Sequence, residues 1–438
     1  MQKNEIDIRF RNGIVFNVAI KGLSILLGLI TVNIYLSYLG SSNYGLWITI
    51  SSIASWAAMG DLGIGNGLRN ELAKAYANND TYKQQELIST AVSTLTKVSA
   101  AILILLSATS EVLIYFGILE HSVRGALYVT NIFMCINLVL GIFSSVAYSY
   151  QMSYYPSLSQ LVYTGLQVFI VWLLVICGAK SNLLLFAIVN GASNMAAHGL
   201  LIFALRYKTK LMFHFRKVNP VYRKSIMGIG TQFFILQLCG LVLYSTDTVI
   251  IKGLFGNDQV TAYSIITKVF DTGDALFSIL LISLWSAVTY QYSLKNFRWI
   301  TDKIKGLLKI WVIYSAGVVF VAVFFNAIIR IWLRQNAIEY GFGIIGIFAI
   351  YSIAGRFGAI YGNVANGMGI IKLQLLMSVI EAVLNVPLSI FLATFCGMGI
   401  MGVKAATLVC NTGANIVIPI YISRLLRNKL KSNEGRDT

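Results

Sequence analysis

Five cations stand inside long apolar stretches of the chain: Lys21, Lys97, Lys268, Arg356 and Lys404. Six carboxylates, Asp61, Glu111, Asp247, Asp271, Asp274 and Glu381, lie within or at the edges of the same stretches. A charge at the centre of a bilayer costs about 2.5–3.5 kcal/mol even on the lenient insertion scale, so eleven facing lipid would cost about 30 kcal/mol. Most must therefore face a bundle interior or a water-filled cavity. There a cation can contact an anion, and a desolvated carboxylate can carry a proton or a sodium ion. Lys268 and Asp271 are three residues apart and predict an intrahelical ion pair. Arg356 and Glu381 lie at comparable depth on consecutive antiparallel spans and are expected to pair across them. Lys404 is about one turn from the outer end of its span and is expected to snorkel, and Lys97 sits near a cytoplasmic end. Lys21 lies about two turns inside the first span with no acidic residue nearby in sequence. It is expected to line a solvated path and meet an anion.

Polar residues repeat at helical spacing around these charges. Asn17, Lys21, Ser24 and Gly28 share one face, Asn190, Asn194 and His198 follow a four-residue step, and Arg356, Asn363 and Gly367 share another face, as do Asn411 and Asn415. Each stripe alone is explained by helix–helix hydrogen bonding. Together with the buried cations they point to a hydrated cavity. The run Gly60-Asp61-Leu62-Gly63-Ile64-Gly65-Asn66-Gly67 lacks the Gly-Lys-Ser/Thr ending of a phosphate-binding loop and has no strand before it, which argues against nucleotide binding. It is read as a helix end followed by an amphipathic cytoplasmic segment, where Arg69 near a helix N-terminus could attract a phosphate.

The elements that position these residues are transmembrane helices. Of 438 residues 57% are apolar and 12% charged, with four prolines, well outside soluble composition. Spans are expected at 13–38, 44–65, 91–116, 124–149, 156–177, 182–205, 225–253, 260–287, 307–332, 341–366, 373–396 and 399–423. The first is too long for a signal-peptide core and is read as retained. With the N-terminus in the cytoplasm, 24 of the 34 Lys and Arg residues fall on the cytoplasmic side and five on the other. This positive-inside bias places both termini in the cytoplasm and explains most of the net charge of +17 without any nucleic acid. Anionic lipid headgroups are the expected neighbours of the basic loops. The five cysteines show no metal-ligand or disulfide spacing, and no soluble segment is long enough for a catalytic domain, so neither an enzyme nor a cofactor is expected.

The basic loop 206–224 divides the spans six and six, giving expected lobes at 1–215 and 216–438. Span one ends in Tyr38-Leu39-Gly40-Ser41 and span seven in Gly253-Leu254-Phe255-Gly256, a repeated turn 216 residues apart. An even number of spans per half makes the repeats parallel, the arrangement in which transporters hold substrate near the midplane.

The residues Arg11-Asn12-Gly13, Tyr38-Leu39-Gly40, Tyr44-Gly45-Leu46-Trp47, Asp61-Leu62-Gly63-Ile64-Gly65-Asn66-Gly67-Leu68 and Ala73-Lys74-Ala75 resemble those of bacterial polysaccharide flippases. More narrowly they resemble the Wzx-type O-antigen flippases of the multidrug/oligosaccharidyl-lipid/polysaccharide exporter superfamily. The motif-level likeness covers about the first 80 residues. It implies an all-α membrane fold of two six-helix lobes around a central cavity that opens alternately to the two sides. It also implies a cargo, an oligosaccharide repeat unit on undecaprenyl pyrophosphate, moved from the cytoplasmic to the periplasmic leaflet of a bacterial inner membrane. A polysaccharide polymerase and a chain-length regulator are the implied protein partners. By chemistry rather than motif, Lys21, Lys268, Arg356, Asn17 and Arg69 are the candidate cargo contacts. Asp61, Asp247 and Glu381 are the candidate ion-coupling groups. A drug or cation antiporter of the same superfamily is the competing reading.

Overall fold

The structure is a computed structural model that describes residues 58–117, 120–209, 219–333 and 340–434, together with scattered positions within 16–51. Every regular element among the described residues is helical. The helices are α1 (Ile64–Ala77), α2 (Thr81–Tyr115), α3 (Arg124–Ser149), α4 (Tyr154–Ile176), α5 (Leu183–Thr209) and α6 (Pro220–Phe255). They continue as α7 (Asn257–Ser293), α8 (Phe297–Val323), α9 (Phe325–Leu333), α10 (Phe342–Met368), α11 (Ile371–Ile390) and α12 (Gly399–Glu434). Nine helical segments among the described residues are long and apolar enough to cross a bilayer. They follow nine of the twelve apolar runs read from the sequence; the first two expected spans are described only in part, and α7, which carries the expected span 260–287, is not among the nine.

The chain packs as two compact units, Met1–Thr231 and Gln232–Thr438. In the first, α3 is the central helix and packs on α1, α2 and α5. One core joins Leu68 and Leu72 of α1 to Leu87, Ile88 and Leu95 of α2, Ile142 and Val146 of α3, and Leu201 and Leu205 of α5. A second core gathers around Phe186, whose ring meets Tyr35 and Trp47 edge-on, both at 4.9 Å. In the second unit α10 takes the central place, packing on α7, α8 and α12. Its core runs through the stacked rings of Phe325, Phe270 and Phe348, with centroids 6.0 and 5.9 Å apart. The helix at the centre of each unit thus carries the fourth expected span of its half.

Local sequence explains where the elements begin and turn. Asp80 caps α2 by accepting from Lys83 N at 2.9 Å, and Asn296 caps α8 through Trp299 N at 3.3 Å. The repeated turn holds Gly40 at φ +71° and Gly256 at φ +84°, with open space where a Cβ would stand. Backbone conformation rather than crowding requires glycine at both. Crowding does so at α1, where a Cβ on Gly67 would lie 2.2 Å from the Ile226 carbonyl oxygen. Gly230 in turn faces the Gly63 carbonyl, so α1 and α6 touch backbone to backbone.

Candidate functional sites in the two units

The first unit encloses a cavity of about 980 Å³ between α2, α3, α4, α5 and the described part of the preceding helices. That volume is at the upper end of the range that holds drug-sized ligands. Apolar side chains make up most of its wall, with hydroxyls and amides set among them, and Asp61 is the one carboxylate and His198 the one imidazole among the described lining residues. The helical stripe Asn190, Asn194 and His198 lies in this wall, as does Ser24. Asn190 Nδ2 donates to the Tyr163 hydroxyl at 2.8 Å, holding that ring in place. Among the described residues the Asn194 amide, which lies in the wall, has no hydrogen-bond partner. Nearby, Asn137 Oδ1, Gln167 Nε2 and His198 Nδ1 have no partner either. Those three atoms are themselves closed off from the cavity, while the hydroxyls and amides of Ser24, Thr31, Ser51, Gln160 and Asn194 stand in its wall beside the rings of Phe133 and Tyr163, groups that can meet a hydroxyl-rich molecule. Gly191 allows α5 to approach α3 here, since its Cβ would meet the Phe133 ring at 2.2 Å.

Asp61 ends a short 3₁₀ turn (Ala58–Asp61), with Oδ1 accepting from Gly63 N at 2.9 Å and Oδ2 from Gly65 N at 3.4 Å. The glycine run thus positions a carboxylate at the cavity edge and starts α1. Asn17 is buried, donating from Nδ2 to Ser153 Oγ at 3.2 Å, and does not line the cavity. Arg69 is buried at 6% exposure with its guanidinium 4.6 Å from the Tyr148 ring centre, so it does not stand open at a cytoplasmic mouth. Burial lowers it to about 10, which leaves it charged at neutral pH. Lys21 lies outside the described residues. Glu111 is held by Arg124 at 2.7 Å and by Tyr128 at 2.7 Å.

The second unit carries a network of charges. Asp274 on α7 accepts from Ser352 Oγ at 2.7 Å and from the Tyr314 hydroxyl, and pairs with Arg356 at 3.5 Å. Arg356 also donates to Ser278 Oγ at 2.8 Å. The expected Arg356–Glu381 pair is not formed, because α10 turns Arg356 toward α7, where Asp274 and Ser278 lie one turn apart. Glu381 is buried with Oε1 unpartnered. Lys268 and Asp271 are both exposed and make no ion pair, so the intrahelical bridge is absent as well. Asp247 on α6 is 4% exposed and accepts from the Tyr263 hydroxyl and from Thr407 Oγ1 at 3.3 Å. Lys404 does not snorkel. It is 6% exposed, with its ammonium 3.6 Å from the Tyr351 ring centre and 5.0 Å from that of Phe348. Its importance was not legible from depth alone; the aromatic pair Phe348 and Tyr351, three residues apart on one helix, was the available signal.

No family model matches the sequence. A curated relative, the "Putative O-antigen export protein" of Yersinia pseudotuberculosis, is 23% identical over 347 residues, 76% of this chain and 77% of the relative. Among solved structures, an outward-facing multidrug resistance MATE family transporter of the MOP superfamily superposes with TM-score 0.76 at 14% identity. A MOP superfamily transporter from Pyrococcus furiosus, whose description reports a binding pocket of reversed polarity, gives 0.78 at 13%. Both superpositions cover 97% of this chain and 96% of the other. A MATE structure in the bent conformation gives 0.80 at 14%, covering 98% and 96%. The chain therefore has the all-α, multi-pass membrane fold of MATE-type transporters, with about twelve long apolar helices.

Proposed function

We propose that this protein is an alternating-access exporter of the bacterial cytoplasmic membrane that carries an oligosaccharide linked to undecaprenyl pyrophosphate to the outer leaflet. The observation that carries this reading is the first unit's cavity, where amides and hydroxyls are set among apolar side chains and Asp61 is the one charged group among the described lining residues. Sugars present many hydroxyls and few charges, and each hydroxyl left unbonded on leaving water would cost free energy. Amides such as Asn194 supply the missing partners. The Yersinia relative, described as an O-antigen export protein, supports the same cargo class. Lys21, three residues before the cavity residue Ser24 in sequence, is the proposed contact for the pyrophosphate. Arg356 is already engaged by Asp274, which makes it a secondary contact at most. Asp61 is the proposed ion-coupling group, being the carboxylate at the cavity edge. Polymerase and chain-length regulator remain the proposed protein partners.

A drug or cation antiporter is the second reading. It is favoured by the MATE-type fold and by Asp61, which could attract a cationic drug. Purified protein in proteoliposomes separates the two. Protein-dependent movement of an undecaprenyl-pyrophosphate oligosaccharide, with no movement of ethidium, is expected. Ethidium transport without glycolipid movement would establish the antiporter. In cells, Lys21→Ala is expected to abolish surface polysaccharide at unchanged protein level; normal display would remove Lys21 from the site.

A further inference from the structure

In the second unit, Lys404 is buried among carboxylates but contacts none of them. Its ammonium packs on the faces of Tyr351 and Phe348. Asp247, Asp271 and Asp274 act on it electrostatically from α6 and α7. Two of these are fixed by other groups: Asp274 by Tyr314, Ser352 and Arg356, and Asp247 by Tyr263 and Thr407. Asp274 has Arg356 as its own counter-charge. Asp247 has only hydroxyl partners, and Lys404 is the cation that acts on it. A buried carboxylate must be compensated by a cation or by a proton.

The surroundings of Asp247 are also rich in oxygen. Thr407, one turn beyond Lys404 on α12, accepts from Asn385 Nδ2 at 3.0 Å, which leaves Asn385 Oδ1 without a partner. Glu381 Oε1 and Ser389 Oγ, one turn to either side of Asn385 on α11, are unpartnered too. Carboxylate, amide and hydroxyl oxygens are the ligand set of hard cations. Hydrogen bonds join Asp247, Thr407 and Asn385 into one such set of oxygens, and Lys404, one turn from Thr407 on the same helix, brings a positive charge beside it.

We infer that Lys404 is a tethered counter-cation, standing in for the exchangeable monovalent cation that Asp247 and its oxygen-bearing neighbours would otherwise require. The second unit is consequently insensitive to sodium, and removing the ammonium converts the Asp247 cluster into a sodium site. Lys404 is a positioning residue in this account. The argument rests on second-unit geometry alone and holds whatever the cargo is.

Thermal unfolding of the purified full-length protein tests this without cargo, in sodium, potassium or choline chloride at equal ionic strength. With Asp61→Asn as the background, which removes any ion response of the first unit, the otherwise unaltered protein is expected to show the same Tm in all three, and the Lys404 variants are made on that background. Lys404→Ala is expected to have a lower Tm in choline, with saturable recovery by sodium, while Lys404→Arg behaves as the background does. Adding Asp247→Asn to Lys404→Ala should abolish the sodium response, since the group needing compensation is gone. A sodium-specific shift that persists in Asp61→Asn would overturn the proposal, even if no Lys404 variant folds. A folded Lys404→Ala protein indifferent to sodium would also overturn it, as a purely structural lysine gives that result.

Discussion

Charged side chains in the second unit illustrate how partners, rather than depth, decide what a buried charge does. Arg356 and Asp274 form a largely buried pair, with side chains 23% and 12% exposed. Removing one member leaves the other uncompensated, a loss of about 3–5 kcal/mol for a fully buried pair and less here because some water reaches Arg356. Arg356→Met is therefore expected to lower Tm markedly, and Arg356→Met combined with Asp274→Asn to recover much of the loss. A double-mutant cycle by thermal unfolding measures the coupling; additive losses would show that the pair does not matter. That charges occupied the spans, and that lipid could not surround them, was legible in the sequence. Their partners were not. Arg356 was expected to meet Glu381 because the two lie at equal depth, but depth says nothing about rotation of a helix about its axis. Asn190, Asn194 and His198 were legible because a four-residue step fixes a shared face without knowledge of the neighbour.

At the scale of elements, the span boundaries in the sequence mark where lipid begins, while helices continue further. α2 starts at Thr81, ten residues before the apolar run at 91, because Leu87 and Ile88 on its polar extension pack into the core under α1. The span expected at 307–332 is divided between α8 and α9, with Phe324 between them, a break that hydropathy does not register. Glycines set the closest approaches. Gly67→Ala would drive a methyl into the Ile226 carbonyl, and overpacking of this kind costs about 1–3 kcal/mol. Gly165→Ala, at a helical site with open space around it, is expected to be neutral or stabilising. Gly256→Ala tests conformation instead of crowding. Its φ of +84° and ψ of −179° lie in a region open essentially to glycine, at a cost of about 1–3 kcal/mol for other residues. Comparing Tm across the three variants separates the two roles; equal losses at Gly67 and Gly165 would remove the argument from close packing.

At the scale of the molecule, two repeats with corresponding central helices have acquired different chemistry. Among its described residues the first unit lines a cavity whose polar groups are, Asp61 and His198 apart, amides and hydroxyls. The second holds buried charges on several helices, of which Arg356 and Asp274 pair with each other while Asp247 and Lys404 rest on hydroxyls and rings. Such a difference between repeats suits a division of labour, with cargo recognised in the first and conformational balance set in the second. The division has a kinetic consequence. Asn194 has an amide in the cavity wall and no hydrogen-bond partner among the described residues, so its loss should be felt by the cargo and not by the fold. One neutral hydrogen bond is worth about 0.5–1.5 kcal/mol, or about 2- to 13-fold in affinity. Asn194→Leu is therefore expected to raise the KM for glycolipid by that factor, with Tm and kcat little changed. Arg356→Met should instead lower Tm and kcat, and do so alike for any cargo. Initial rates in proteoliposomes over a range of glycolipid concentrations resolve the two patterns. If Asn194→Leu lowered kcat at constant KM, recognition would have to be placed outside the first-unit cavity.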